Sequence, residues 1–235
     1  MQVKTETGYV SLDFVGVAGA GKTTLAKELI SLLEKKQMPF VNLTMGNGKY
    51  TKGIYNKFKN IIPAIQSLYL VFLLKPGSVY DFISLFKYVY GLCIVKRVLD
   101  KSKDSYKIRI FDEGIFKRGE GIVRHSRAPN PIGILNRYLK FIKKPYMIII
   151  LEVDYNNIVE RRISRGLNID KRFARKVKNG TAKYKSGVPK EFEKVLAGLD
   201  DKIRENIEIV RLKNNQVEDT AKNAHFITEL LNKKD

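Results

Sequence analysis

Eight consecutive residues, Gly16-Val17-Ala18-Gly19-Ala20-Gly21-Lys22-Thr23, match G-x-x-x-x-G-K-[ST] at every defined position. That pattern builds a loop for phosphate. Its glycines let the backbone wrap around phosphate oxygens, where successive N–H groups and the positive end of a following helix meet negative charge. Lys22 is placed to reach β- and γ-phosphates, and the Thr23 hydroxyl to ligate Mg²⁺. The nucleotide-binding candidates are therefore Gly16, Gly19, Ala20, Gly21, Lys22, Thr23 and Thr24.

Two further constellations carry chemistry. Ile108-Arg109-Ile110-Phe111 reads as a strand and runs into Asp112-Glu113-Gly114. In phosphate-loop enzymes an acid at such a strand end belongs to the Mg²⁺ shell, which assigns Asp112. Glu113 projects from the next position and is the candidate general base for an acceptor hydroxyl. The third constellation is Glu160-Arg161-Arg162-Ile163-Ser164-Arg165-Gly166. Helical spacing sets Arg161 or Arg162 on the face of Arg165, and arginine forks stabilise the charge that spreads over a transferring phosphoryl group.

These residues need elements to hold them. Five apolar, β-rich runs lie at about Tyr9–Val17, Pro39–Leu43, Lys107–Phe111, Tyr146–Val153 and Ile207–Leu212, and helical segments separate them, as in a parallel α/β sheet. The continuously apolar Met147–Leu151 suits a strand near the sheet centre. Leu25, Leu29, Leu32 and Leu33 recur at helical spacing directly after the glycine loop. Between about Ile61 and Leu99, Pro63, Pro76 and Gly77 punctuate two strongly apolar helices. In the second, Asp81, Ser84, Lys87 and Gly91 form one narrow stripe. Burial against the sheet explains the remaining circumference, and a membrane-facing or dimer-forming surface is the sharper alternative. The Lys- and Arg-dense stretch from Arg161 to Lys190 reads as a solvated lid that closes on a triphosphate.

The 235 residues fit one domain and need no staple. Cys93 is the only cysteine, which excludes an intramolecular disulfide and points to the reducing cytoplasm. The longest unbroken apolar stretch, Leu68 to Leu74, is far shorter than the roughly 20 residues of a membrane span. The formal net charge of +20 calls for an anionic partner: nucleotide phosphate, nucleic acid or an anionic membrane surface.

With these motifs in place the chain resembles the P-loop nucleoside and nucleotide kinases, most nearly the thymidylate-kinase-like group. Gly16 to Thr24, Phe111-Asp112-Glu113, and Leu151-Glu152-Val153-Asp154 followed by the arginine run carry the likeness. Ile207 to Leu212, Asn214-Asn215 and a last helix to Leu231 are similar to the family's final strand, turn and helix. The resemblance implies a three-layer α/β P-loop fold, a five-stranded parallel sheet of order 2-3-1-4-5, and an arginine-bearing helical lid over ATP and Mg²⁺. The departures lie elsewhere. Val15 and Ala18 stand where thymidylate kinases usually carry acids, Asp112-Glu113 replaces an acid-arginine pair, and Leu43 to Gly48 lacks the acceptor signature. A kinase acting on a small acceptor is thus the first expectation. A P-loop ATPase switch or a polynucleotide kinase is the alternative, and no N-K-x-D motif marks a GTPase.

Overall fold

The computed structural model describes residues 10–17, 19–42, 61–101, 108–111, 114–140, 142, 146–164 and 190–233. Among them five strands, β1 (Val10–Val15), β2 (Phe40–Asn42), β3 (Ile108–Phe111), β4 (Tyr146–Glu152) and β5 (Ile207–Lys213), form one parallel sheet in the order β2-β3-β1-β4-β5. This is the expected order. β4 is interior, between β1 and β5, as its unbroken apolar run requires.

The described helices are α1 (Lys22–Lys35), α2 (Ile61–Leu73), α3 (Val79–Lys101), α4 (Ile115–His125), α5 (Pro131–Leu139), α6 (Tyr155–Ile163), α7 (Lys190–Ala197), α8 (Asp201–Arg204) and α9 (Val217–Asn232). Alternation along each strand sends side chains to opposite faces. On one face Leu12, Phe14, Met147, Ile149 and Leu151 pack with Leu25, Leu29 and Leu33 of α1 and Ala224, Ile227 and Leu231 of α9. On the other, Val15, Phe111, Ile148 and Ile150 pack with α3, α4, α5 and α7 through Leu92, Phe116, Leu135 and Phe192. Three layers result, with the sheet in the middle.

The apolar pair α2 and α3 is buried only in part. Leu85, Val89, Leu92, Cys93 and Val95 of α3 are buried, whereas Val79, Tyr80 and Ile83 at its start, and much of α2, face outward. The narrow stripe of Asp81, Ser84, Lys87 and Gly91 ends in the core: Gly91 is buried, and the Arg118 guanidinium of α4 lies against it. A Cβ there would fall 1.8 Å from an Arg118 terminal nitrogen. No described helix is long and apolar enough to cross a membrane.

Candidate nucleotide-binding site

β1 ends at Val15, and the chain turns through the glycine loop straight into α1. Gly19 and Gly21 hold φ of 95° and 89°, the left-handed region that glycine enters without strain. At Gly21 space closes as well, because a Cβ would lie 2.5 Å from Asn214 Nδ2. Lys22 folds back over the loop, and its Nζ donates to the carbonyls of Gly16 (2.9 Å) and Val17 (3.1 Å). Both of these acceptors are neutral carbonyls. An ammonium at the mouth of a glycine turn is a donor that suits phosphate oxygens.

The last turn of the sheet buttresses this loop. Buried Asn214, just after β5, donates from Nδ2 to the Ala20 carbonyl at 2.7 Å and receives the Thr220 hydroxyl at its Oδ1. Arg161 on α6 donates from one terminal nitrogen to the carbonyls of Asn214 (2.8 Å) and Asn215 (2.9 Å). Its other terminal nitrogen lies 3.6 Å from the point where a Gly21 Cβ would sit. Asn215 and Asp154 clasp each other: Asn215 Nδ2 donates to Asp154 Oδ2, and Asp154 N donates to Asn215 Oδ1. The turns after β4 and β5 are thus joined beside the start of α1, with the Arg161 guanidinium among them.

One buried acid escaped the motif reading. Asp13 on β1 is wholly buried and receives the backbone N–H groups of Gly114 and Phe116, each at 3.0 Å, and the Tyr146 hydroxyl at 3.3 Å. It caps the first turn of α4, where orphan donors favour a carboxylate. Burial nevertheless pushes its pKa up to about 6, against the lowering effect of those N–H groups and of Arg118. Its sequence signal was slight: an Asp within a mostly apolar strand.

The structure brings Gly16, Gly19, Ala20, Gly21, Lys22, Thr23 and Arg161 to one end of the sheet, with Thr24 following in the first turn of α1. β3 ends at Phe111, in register with Asp13, so the chain leaves the sheet at the same end. Asp112, Glu113 and Arg165 lie outside the described residues, as do the Arg162 side chain and most of the 161–190 stretch. Among the described residues no three of His, Cys, Asp or Glu group as a metal site. The Thr23 hydroxyl, in the first turn of α1, is an oxygen donor of the kind that Mg²⁺ takes.

No family model matches the sequence, and no curated protein matches it. Among solved structures, the thymidylate kinase from Candida albicans, described for its broad substrate specificity and a novel structural element, is similar over 97% of this chain and 94% of its own, at 16% identity and a TM-score of 0.51. At that identity the likeness establishes the fold, which is thymidylate-kinase-like.

Proposed function

We propose that this protein is an ATP-dependent phosphotransferase that moves the γ-phosphate of MgATP onto a small hydroxyl or phosphate acceptor, a nucleotide or nucleoside among them. The observation that carries the reading is Lys22, whose ammonium folds back over the glycine turn and donates to the Gly16 and Val17 carbonyls at its mouth. Binding a triphosphate exchanges those neutral acceptors for charged ones. Lys22 draws charge from the β- and γ-phosphates, and backbone N–H groups of the loop hold the oxygens in place. Mg²⁺, when bound, neutralises charge between the β- and γ-phosphates. Thr23 and Asp112 hold it, and Glu113 takes the acceptor's proton. Arg161, joined to Asn214 and Asn215, stands at the loop's edge, and Arg162 and Arg165 supply guanidinium groups to the transferring phosphate.

The net charge of +20 favours one second reading, a polynucleotide 5′-hydroxyl acceptor held through its backbone. Measuring ATP consumption with nucleosides, nucleoside monophosphates, sugars and 5′-hydroxyl oligonucleotides decides between the two. Stimulation by a small acceptor establishes the first reading, and stimulation by oligonucleotides alone replaces it with the second. ATP turnover that no acceptor changes overturns both in favour of a P-loop ATPase.

A further inference from the structure

Gly114, the residue at which α4 begins, has no side chain with which to cap the helix. The capping bonds come from Asp13, 101 and 103 positions earlier than the residues it receives: Oδ1 accepts the Gly114 N–H and Oδ2 the Phe116 N–H, each at 3.0 Å. Two donors on two oxygens specify a carboxylate. An asparagine would accept one of them and set its NH₂ group against the other. The approach is also close enough to restrict the residue it meets, since a Cβ on Gly114 would lie 2.6 Å from Asp13 Cγ. An acid on another strand thus accounts for the glycine that closes Asp112-Glu113-Gly114.

Capping alone does not require this arrangement. A serine or asparagine at the cap position would satisfy orphan donors of α4 from within its own turn. It would do so without burying a carboxylate, whose ionised form is disfavoured there by desolvation. What the distant cap adds is a connection. β1 runs on from Asp13 through Val15 into the phosphate loop at Gly16. Asp13 is also in register with Phe111, the last residue of β3. Its main chain therefore lies beside the residue before Asp112, and its side chain holds the residue after Glu113. One buried residue fixes the chain on both sides of the acid pair, three positions before the phosphate loop begins.

We infer that Asp13 is a positioning residue for phosphoryl transfer: by fastening Gly114 and Phe116 to the strand that carries the phosphate loop, it sets where the chain leaving β3 stands relative to the bound phosphates. The inference rests on the phosphotransferase reading above. The test compares the full-length wild type with Asp13→Asn, Asp13→Ala, Gly114→Ala and the double variant Asp13→Ala with Gly114→Ala. Circular dichroism and thermal melting check that each is folded. Turnover is measured with MgATP and a mixture of nucleosides and nucleoside monophosphates. Asp13→Asn and Gly114→Ala should each lower kcat at least about tenfold while KM for ATP stays within about threefold, because the phosphate loop itself is unchanged. Once Asp13 is alanine, adding Gly114→Ala should cost less than about twofold more, since the carboxyl it would meet is gone. Hydrogen exchange at the Gly114 and Phe116 amides, which needs no substrate, should be at least about tenfold faster in Asp13→Asn than in the wild type. Gly114→Ala answers the question from the other side of the contact if Asp13→Asn does not fold. Either folded single variant with kcat within about threefold of wild type overturns the inference. So do losses that appear in KM for ATP instead of kcat, losses that add in the double variant, and exchange that Asp13→Asn leaves unchanged. A wild type that consumes no ATP with these acceptors withdraws the phosphotransferase reading and the inference with it, whereas an active wild type matched by its variants withdraws the inference alone.

Discussion

Lys22 and Asp13 lie nine positions apart and illustrate opposite uses of charge. The lysine is half-buried and donates to the carbonyls of its own loop, so its removal deletes little packing. Lys22→Ala should retain the wild-type melting temperature within a few degrees while turnover falls about a hundredfold, the usual loss for one charge contact to a transition state. Retention of more than about a tenth of turnover would remove the phosphate-loop assignment. Asp13 works inside the core. An acid whose pKa rises on folding holds its proton more tightly folded than unfolded, so its contribution to stability falls as pH climbs from 3.8 to about 6 and is lowest above that. The rise corresponds to roughly 3 kcal/mol. The unfolding free energy of the wild type should therefore gain on that of Asp13→Asn by up to roughly 3 kcal/mol as pH is lowered from about 7 to about 4. Urea titrations at several pH values measure this, and a difference independent of pH would show that Asp13 does not titrate as its burial demands.

At the scale of elements, the phosphate loop depends on a turn far away in sequence. Asn214 is buried, and its amide donates to the Ala20 carbonyl. Asn214→Ala leaves that carbonyl short of a donor in a dry place, which costs about 2 kcal/mol. The same change loosens the seat of Arg161, whose two acceptors are the carbonyls of Asn214 and Asn215. Denaturant unfolding should register the stability loss, and nucleotide titration should show weaker binding. Unchanged affinity would mean that the loop keeps its shape without this buttress. None of this was legible beforehand, because an asparagine after a strand is an ordinary turn residue and its partner is a tertiary matter. The local features were legible for the opposite reason: strand periodicity, the glycine pattern and the leucine spacing of α1 are each written within a few residues, and all five strands followed from them. Gly91 marks the boundary between the two cases. Its place on the narrow stripe of α3 was readable, but not that a guanidinium from α4 occupies the space that a side chain would need. Helical spacing gives the face of a residue without saying what packs on it.

For the molecule as a whole, the excess of 20 positive charges acts at long range, and salt measures it. A small acceptor makes few ionic contacts, so its KM should change by less than about threefold between 50 and 200 mM salt, whereas a strand held by six or more phosphates loses about a thousandfold in affinity over that range. Steep loss for the true acceptor would shift the assignment to nucleic acid. The bond from Asn214 to Ala20 spans 194 positions, and its consequence reaches back to synthesis. Chains emerge from the ribosome amino end first, at roughly 5–20 residues per second. The glycine loop is thus made early and stays without its buttress until the strand and turn near residue 214 have left the exit tunnel. A nascent chain stalled before that point should bind nucleotide poorly although it already contains every residue of the loop motif, and ATP should act late, as a ligand that rewards completed folding.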